Sequence, residues 1–385
     1  MRIVDVKAYP LRVETAKPVG SALSMGRERS ACLVEVITDE GLIGWGEAGA
    51  GRSQEVLAAV VERQFRPMLL GEDPTDLNRL WDKMYSSLMV GGRTAGLSVQ
   101  ALSGIDIALW DLWGKSTGLP VYRLLGGKVR DSVLAYATAF YYHGGPDETE
   151  GVEEEALRYV ERGFRAVKMK IGGEHPSVDV RRIRIVRKAI GPDRHLMLDA
   201  NQAFTVAGAL DLARRITEYD ISWLEEPLPA HDLQGYLQLR QGIGMPVAAG
   251  ECLYTRFGFR DWCAQRAVDI VQPDLCNAGG ITECMRIASL TGAWDMLCNP
   301  HAWGTPVALA ATIHLAVALP QVGHTRLQLP LVHSPALECD QGENPLRDEL
   351  APLPFTFRDG FLTPTDGPGL GVDVDRVALK RFLVA

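Results

Sequence analysis

The sequence has few features that would mark an extracellular, membrane or nucleic-acid-binding protein. Its seven cysteines are scattered and odd in number, and they include no Cys-x-x-Cys pair. A disulfide framework is therefore not expected, whereas a reducing, cytoplasmic location is. The N-terminal residues alternate as a strand would and contain no long apolar signal core, which agrees with that location.

Long apolar runs are also missing. The most apolar helix candidate, Thr305 to Leu319, is too short to span a membrane and contains His314, so we interpret it as a buried helix. The net charge of −8 argues against nucleic acid or an anionic membrane as a partner. A local cationic pocket for a small anion is still compatible with this charge.

The composition is that of a folded globular protein, with 46% hydrophobic and 23% charged residues and no bias towards disorder. A chain of 385 residues is too long for one ordinary core. We therefore expect either a large barrel with a smaller domain or two separate domains.

The first third of the chain is predicted to form a small α+β unit. Gly41 lies in a turn between two strands, where glycine can take a positive φ. The stretch from Thr15 to Arg29 is predicted to be a loop. The predicted strands are Ile3 to Val13, Ala31 to Ile37 and Leu42 to Ala48, and the predicted helices are Ser53 to Leu70, Asp76 to Val90 and Leu97 to Ser116.

From about Val133 the pattern changes to an alternation of strands and helices. The eight strand candidates are Val133 to Phe140, Ala166 to Ile171, His195 to Asp199, Ser222 to Glu225, Val247 to Glu251, Val268 to Gln272, Met296 to Asn299 and Pro335 to Cys339. Repeated βα units of this kind most simply close into a parallel barrel. We therefore predict an α/β fold with a modified TIM barrel, (β/α)7β, at residues 129–344. Residues 1–128 would form a capping domain, and the tail at 345–385 would pack back on it.

Three carboxylates end successive predicted strands of this barrel. Asp199, Glu225 and Glu251 are separated by roughly 26 residues each, about one βα unit, so they would converge on one mouth. Three carboxylates brought together repel one another, and a hard cation such as Mg²⁺ would relieve that repulsion. Any one of these residues by itself would more simply be a helix N-cap or a loop acid. The regular spacing of all three favours a metal site.

Two lysines end the second predicted strand of the barrel. Residues i and i+2 of a strand share one face, so Lys168 and Lys170 point together while Met169 points away with the apolar neighbours. Paired lysines lower each other's pKa, and a lysine with a lowered pKa can serve as a general base. The alternative is a lysine pair that reaches solvent at the strand end.

Asp274 and His301 end the sixth and seventh predicted strands. A carboxylate beside an imidazole fixes its tautomer and raises its basicity, which makes His301 a second acid–base candidate. Glu338 on the eighth strand could complete the ring of polar groups, and a solvated edge acid is the equal alternative. His143 is interpreted as a loop residue. No role follows from position for the remaining histidines, which are His175, His195, His231, His314, His324 and His333.

Two segments of the predicted cap could close over the mouth of the barrel. One is the loop from Val19 to Arg29, with Arg27 and Arg29, and the other is the turn from Gly49 to Arg52. Arginines there would suit a carboxylate or a polyol, and surface ion pairs explain them equally well.

Taken together, these residues resemble the enolase superfamily, and specifically its mandelate racemase-like subgroup. The resemblance rests on five strand ends in matching order and spacing, on Gly-Trp-Gly-Glu at residues 44–47, and on the segment from Gly104 to Asp111. It implies one Mg²⁺ per subunit, replaceable by Mn²⁺. The implied ligands are Asp199, Glu225 and Glu251, with Asn201 nearby.

The resemblance also implies two bases on opposite faces of a substrate. Lys170 would act on one face, with Lys168 lowering its pKa and contacting the substrate carboxylate. His301, oriented by Asp274, would act on the other face, and Glu338 matches the eighth-strand acid of the family. A lysine or histidine base together with Mg²⁺ on an enediolate is a known pattern of this superfamily.

The predicted reaction is Mg²⁺-dependent removal of the proton α to a carboxylate, which yields an enediolate. The loop from Asn299 to Thr305 resembles that of sugar-acid members, so dehydration of a sugar acid is predicted first. A sugar-acid lactone cycloisomerase and a racemase or epimerase of a hydroxy or amino acid are the alternatives. Asn201, Arg27 and Trp303 are predicted to contact the substrate, and a homo-oligomer is expected.

Two readings from other functional classes also stay open. A Schiff-base aldolase could use Lys170, although it would have no need of the three carboxylates. A catalytically idle sugar-binding protein would keep the site without turnover.

Overall fold

The N-terminal unit is a three-stranded antiparallel sheet packed against helices. The computed structural model describes residues 1–50, 53–323 and 325–384. The strands are β1 (Ile3–Gly20), β2 (Met25–Thr38) and β3 (Ile43–Ala50), hydrogen-bonded in that order. The helices are α1 (Gln54–Val60), α2 (Arg66–Leu69), α3 (Leu77–Met89), α4 (Leu97–Thr117) and α5 (Val121–Leu124), with a π-helical turn (Val61–Phe65) between α1 and α2.

The loop predicted at residues 15–29 is instead part of a β-hairpin, because β1 and β2 extend through it. Val19 pairs with Gly26, and Gly20 pairs with Met25. The hairpin is joined to the rest of the molecule where Gly20 N donates to Tyr142 O at 2.8 Å. The loop prediction was wrong because this stabilising contact is distant in sequence, where local composition cannot reveal it. Residues 15–29 are called the cap hairpin below.

Residues 133–340 form a parallel barrel surrounded by helices. The strands are β4 (Val133–Ala139), β5 (Ala166–Lys170), β6 (His195–Asp199), β7 (Ile221–Glu225), β8 (Val247–Ala249), β9 (Ile270–Val271), β10 (Leu297–Cys298) and β11 (Ala336–Asp340). The helices between them are α6 (Val152–Glu161), α7 (Pro176–Ile190), α8 (Val206–Arg215), α9 (Leu233–Gly242), α10 (Thr255–Ala264), α11 (Gly280–Gly292) and α12 (Pro306–Ala318). A 3₁₀ turn (Thr217–Tyr219) precedes β7. The predicted (β/α)7β barrel with an N-terminal cap is confirmed.

The barrel strands pair in chain order from β4 to β10, and β11 returns to pair with β4. A side chain links β10 to β11, since Asn299 Oδ1 accepts a hydrogen bond from Ala336 N at 2.7 Å. All the strands therefore run in one direction around the barrel, and their carboxyl ends meet at one mouth.

Alternation along β5 places the two lysines in the barrel interior. Ala166 packs with Tyr136 and Trp223 in the small inner core. Val167 and Met169 pack instead in the layer between the strands and the helices. Since alternate strand residues share a face, Lys168 and Lys170 lie on the inner side with Ala166, as predicted.

The cap is held against the barrel by the buried helix α4, which packs on β3 and α11. Close backbone approach requires glycine at this interface. A Cβ atom on Gly46 would lie 1.9 Å from the carbonyl oxygen of Gly104. The Gly-Trp-Gly-Glu motif therefore lets β3 lie directly on α4.

The C-terminal residues contact both units rather than the cap alone. They form α13 (Pro345–Glu349), β12 (Phe355–Arg358), β13 (Phe361–Pro364) and α14 (Arg376–Phe382). The hairpin of β12 and β13 adds to the barrel sheet, where β13 pairs with β4. The end of the chain returns to β1, where Leu383 bridges Leu11. The boundaries at residues 128/129 and 344/345 stay predictions.

Within the described residues, no helix combines the length and apolar character needed to cross a membrane. The homo-oligomer and the cytoplasmic location stay predictions.

Candidate active site

A cavity of about 530 Å³ lies between the mouth of the barrel and the cap hairpin. The barrel contributes charged strand-end residues to its wall, and the cap hairpin contributes hydroxyl groups and an arginine. Its lining includes Lys170, Glu251 and His301 from the barrel and Ser21, Ser24 and Arg29 from the cap hairpin. The predicted mouth and the predicted cover thus enclose one space.

Neighbouring strands place three of the charged residues at one level. Lys170 on β5 is in register with Asp199 on β6, and Asp199 is in register with Glu225 on β7. Lys170 Nζ lies 2.5 Å from Asp199 Oδ2. The spacing of about one βα unit in the sequence is therefore realised as direct contact between adjacent strand ends.

Lys168 lies at the centre of the acidic groups and is fully buried. Its Nζ forms an ion pair with Glu225 and lies 3.2 Å from Glu338 and 3.7 Å from Asp199. A buried ammonium is tolerated only when charges and hydrogen bonds compensate for lost hydration. The alternative of a lysine pair that reaches solvent is therefore wrong for Lys168.

The predicted net lowering of the lysine pKa values is wrong for these residues by themselves. Burial lowers the pKa of Lys170, Asp199 raises it and Lys168 lowers it again, and the net result is a raised pKa. For Lys168, burial is likewise outweighed by Glu225 and Glu338, which hold its pKa well above the usual value. The like-charge effect exists, but the surrounding carboxylates are stronger.

Of the three predicted metal ligands, Asp199 and Glu225 are fully buried and Glu251 is partly exposed, and their electrostatic environments differ. Burial raises the pKa of Asp199, but Lys170 and Lys168 overcome this and hold it at about 2. Burial raises the pKa of Glu225 to about 7. Burial also raises the pKa of Glu251. Glu225 Oε2 accepts hydrogen bonds from Trp223 Nε1 and Gln272 Nε2, each at 2.9 Å.

These donors fit a hard divalent cation. Carboxylate oxygens are its preferred ligands, and a cation would reduce the cost of burying several acids together. Asn201 Oδ1 is buried without a hydrogen-bond partner in the described part of the chain, and Asn201 lines the cavity. Asp199, Glu225 and Glu251 would hold the ion, with the amide oxygen of Asn201 available to it or to a substrate.

His301 and Asp274 form a directed pair at the ends of β10 and β9. His301 Nδ1 lies 2.6 Å from Asp274 Oδ2, and His301 Nε2 lies 3.3 Å from Glu251 and 3.7 Å from Glu338. Burial lowers the pKa of His301, but Glu251 and Asp274 raise it to about 10. Asp274 thus fixes the ring and leaves Nε2 directed at the acidic centre.

Glu338 is a buried member of the acidic centre, so the alternative of a solvated edge acid is wrong. Its exposed fraction is 1%. Thr138 Oγ1 donates to its Oε1 at 2.6 Å, and Lys168 holds its other side. Burial raises the pKa of Glu338, but the positive charges of Lys168 and His301 outweigh this effect, so its net pKa is lowered.

The predicted substrate contacts are distributed unevenly. Trp303 and Asn201 line the cavity, whereas Arg27 is exposed and lies outside the lining. Arg29 takes the position expected of Arg27, since it is buried in the wall with its guanidinium 4.7 Å from the centre of the Trp303 ring. Arg27 and Arg29 are two residues apart on β2 and share one face of the strand, so it is the position along the strand that buries Arg29 and leaves Arg27 exposed. That pairing was not visible while the segment was predicted as a loop.

Some residues singled out in the sequence lie away from the charged centre, and others lie outside the described part of the chain. His143 is exposed and its Nδ1 contacts Pro18 O at 2.9 Å, which places it against the base of the cap hairpin. The turn at Gly49 to Arg52 includes Gly51 and Arg52, and these two residues and His324 lie outside the described residues.

A further buried acid, Glu226, lies beside the site and was not predicted from the sequence. Glu226 lies with Glu251 and Cys252, and ligand atoms of the three are within 4.8 Å of one another. Gln202 Nε2 donates to Glu226 at 3.3 Å. The consecutive pair Glu225-Glu226 was the available signal, since two adjacent residues leave a strand end in different directions.

Comparison with known proteins places the whole chain in one family. A family model described as "Enolase C-terminal domain-like" matches residues 151–378, and one described as "Mandelate racemase / muconate lactonizing enzyme, N-terminal domain" matches residues 3–126. The N-terminal model matches the cap, and the C-terminal model matches most of the barrel and the tail.

Three similar proteins have named activities. A D-galactarolactone cycloisomerase of Agrobacterium fabrum is 39% identical over 99% of each chain. The 3,6-anhydro-D-galactonate cycloisomerase of Zobellia galactanivorans is 37% identical, with a TM-score of 0.89 over the full length of both chains. A variant of an L-talarate/galactarate dehydratase, liganded with Mg and L-glucarate, is 30% identical, with a TM-score of 0.86 over 100% of this chain and 92% of that one.

The relatives include both lyases and isomerases that act on sugar acids or their ring forms, so this protein is an enzyme. With two family models matched in sequence order and relatives similar from end to end, the chain belongs to the mandelate racemase/muconate lactonizing enzyme family of the enolase superfamily.

Proposed function

We propose that this enzyme removes the proton α to the carboxylate of a sugar acid and then eliminates the β-oxygen. The observation that carries this proposal is that Lys170 and the His301–Asp274 pair reach one cavity from β5 and β10, with buried carboxylates between them. The strands β6 to β9 separate β5 from β10 in the sheet. Two acid–base groups are therefore available from different directions.

The proposed roles follow the order of bond changes. Burial lowers the pKa of Lys170 and Asp199 raises it, so a cation held by Asp199 would offset the raising effect and leave Lys170 able to accept a proton. Lys170 then takes the α-proton, and the electron pair of the C–H bond forms the enediolate. The bond from the β-carbon to its oxygen then breaks, and His301 donates a proton to that oxygen. The resulting enol becomes a 2-keto acid by proton transfer. Mg²⁺ held by Asp199, Glu225 and Glu251 would supply the positive charge that stabilises an enediolate.

We propose further that the leaving oxygen belongs to a ring, so that the reaction is a cycloisomerisation. Similarity to two cycloisomerases over almost the whole chain supports this choice. Dehydration, which the sequence analysis predicted first, is the second candidate, supported by the likeness to a dehydratase. Both outcomes use the same first half-reaction and differ only in what is attached to the leaving oxygen.

A polar lining suits a hydroxylated substrate. Besides Ser21 and Ser24, the wall of the cavity includes Gln100, Tyr254 and Asn277. Gln100 Nε2 donates to Asn277 Oδ1 at 3.0 Å, so the amides are preorganised. Hydroxyl and amide groups of this kind bind a polyol while the charged centre binds its carboxylate.

The test is a panel of aldonic acids, aldaric acids and their lactones or anhydro forms, incubated with Mg²⁺ and followed by mass spectrometry and ¹H NMR. A ring substrate should give a 2-keto acid of unchanged mass. An open-chain acid that loses one water would support dehydration. If the panel is inert while an amino acid derivative racemises, both candidates are wrong.

Replacing Arg29 by methionine should raise KM more than replacing Arg27 does. Arg29 lines the cavity, and its Nη2 has only a 3.6 Å contact with Asp340 and no hydrogen bond in the described part of the chain, so the guanidinium can turn to a substrate oxygen. Loss of a hydrogen bond to a charged group corresponds to roughly a 10- to 100-fold rise in KM. Arg29→Met also removes the contact with Asp340, which lies 3.6 Å from Arg29, so Tm of the variant shows whether the protein itself is destabilised. A larger effect from Arg27→Met would contradict this assignment.

A further inference from the structure

Glu47 of the cap lies buried at the N-terminus of the barrel helix α12. It accepts hydrogen bonds from Thr305 Oγ1 at 2.5 Å, from Thr305 N at 3.1 Å and from Ala308 N at 3.2 Å. The first backbone N–H groups of a helix have no partner within the helix, and the helix dipole favours an anion there. Glu47 meets both needs from across the interface. Gly304 leaves room for it, since a Cβ atom there would lie 2.6 Å from Glu47 Oε1.

Asp106 of α4 occupies the corresponding position at the N-terminus of α11. It is buried, and its Oδ2 accepts a hydrogen bond from Thr282 N at 2.9 Å. The fit is again close, because a Cβ atom on Gly280 would lie 2.2 Å from Asp106 Oδ2. Ser103, one turn earlier on α4, accepts a hydrogen bond from Gly279 N at 2.9 Å. The cap thus holds the last residues of the loop that precedes α11 and the first turn of that helix.

These two helices follow the loops that carry the His301–Asp274 pair. His301 lies four residues before Thr305, which is the N-cap of α12. Asp274 begins the turn that leads into α11, and its Oδ1 accepts hydrogen bonds from Cys276 N at 2.7 Å and Asn277 N at 3.1 Å. A displacement of either helix start would change the geometry between His301 and Asp274.

On the lysine side of the mouth, helices are capped by side chains of the barrel itself. The N-cap side chains of α7, α8 and α9 are His175, Thr205 and Asp232, and each accepts a hydrogen bond from a backbone N–H of its own helix. Acids of the cap thus bind the starts of α11 and α12, the two helices that follow His301 and Asp274. Burial raises the pKa of Glu47 and of Asp106 to about 7 each, so keeping acids there has an electrostatic cost.

We propose that Glu47 and Asp106 are positioning residues, by which the cap clamps the two loops that align His301 with Asp274. The inference rests on the proposed role of His301 in catalysis. Its physical basis is the need to hold an acid–base pair within a fraction of an ångström of its working geometry. Anchoring both loops to one rigid unit, the pair β3 and α4, meets that need.

The experiment compares Glu47→Gln and Asp106→Asn with Asp232→Asn, which removes the charge of a helix cap on the lysine side. The first readout is the low-field ¹H resonance of the His301 Nδ1–H in ¹⁵N-histidine-labelled full-length protein, assigned by its loss in His301→Asn. This signal reports the bond to Asp274 without any substrate. The second readout is kcat and KM on a substrate from the panel, and the third is Tm.

Glu47→Gln and Asp106→Asn should each shift or broaden the His301 signal, with kcat lowered about 10²-fold and KM changed far less. Asp232→Asn should lower Tm by a similar amount and leave the signal in place. Thr305→Ser, which keeps the hydroxyl that Glu47 binds, should retain it as well. If Glu47→Gln does not fold, Thr305→Ala tests the same contact from the side of α12, and Asp106→Asn tests the corresponding contact at α11.

Unchanged His301 signals in the Glu47 and Asp106 variants, with only a loss of Tm, would overturn the proposal and leave the two acids as structural contacts. A shifted signal in an enzyme that turns over none of the panel would support the positioning inference while the proposed function fails. The two failures are therefore distinguishable.

Discussion

Removing divalent cations with a chelator should abolish turnover, and added Mg²⁺ should restore it. The physical reason is the centre formed by Asp199, Glu225 and Glu251, where burial raises the pKa of both glutamates. An enediolate adds negative charge to a site that already contains several carboxylates, and Lys168 and Lys170 are occupied by them. A loss of at least about 10³-fold is expected, since a metal supplies several kcal/mol of charge stabilisation.

Binding of the ion should also be visible without any substrate. A ligand that binds only the folded state raises the free energy of unfolding, by about 2.7 kcal/mol at a concentration of 100 Kd. Tm should therefore rise with the concentration of Mg²⁺ in the wild type. Glu251→Gln should weaken this rise, and Glu154→Gln, at an exposed position on α6, should leave it intact. Replacement of Mg²⁺ by Mn²⁺ can be tested in the same titration.

Full activity after exhaustive chelation, together with a Tm that does not respond to Mg²⁺, would contradict the metal assignment. A Tm response that Glu251→Gln leaves intact, but that Glu226→Gln removes, would shift the site towards Glu226, Glu251 and Cys252. Both outcomes can be read from the same set of variants.

Lys170→Met and His301→Asn should each lower kcat by about 10² to 10⁴-fold, the range for loss of a general acid or base, and they should fail at different steps. Lys170→Met should stop exchange of the α-proton with D₂O. His301→Asn should retain exchange, because Lys170 is still present, and should accumulate little keto acid. The measurement is ¹H NMR of a panel substrate in D₂O with Mg²⁺.

The reversed pattern, with α-proton exchange lost in His301→Asn and kept in Lys170→Met, would mean that His301 is the base and Lys170 the acid. Exchange retained in both variants would mean that neither residue removes the proton. Asp274→Asn serves as the matched control for His301. It keeps the ring but removes the carboxylate 2.6 Å from Nδ1, so it should impair the second step with the first intact.

Most of the fold and the principal site residues were accessible from the sequence because their signals are local. Strand–helix alternation depends on neighbouring residues, and a parallel barrel brings the carboxyl ends of its strands to one mouth whatever the side chains are. The alternation Lys168-Met169-Lys170 likewise predicted which side chains point inward. The observed packing of Met169 outside and Lys168 inside agrees with it.

Features that depend on distant partners were missed or reversed. The cap hairpin was predicted as a loop, and Arg27 was predicted to contact the substrate, whereas Arg29 is the arginine that lines the cavity. The sequence did not decide whether Glu338 belongs to the ring of polar groups or is a solvated edge acid. Its burial beside Lys168 and Thr138 decides for the ring. Glu47 and Asp106 entered only as parts of motifs, because their partners Thr305 and Thr282 lie far along the chain.

The sequence by itself determined the chemical inventory of the site and the order in which the strands present it, since periodicity and topology are set by chain connectivity. Only the tertiary structure decided which charges surround each group, and with them the direction in which its pKa is shifted. Whether a lysine is made a weaker or a stronger acid depends on the balance between its own burial, a second lysine and the carboxylates around both. These effects depend on three-dimensional distances and on burial, which cannot be read from the spacing of residues along the chain.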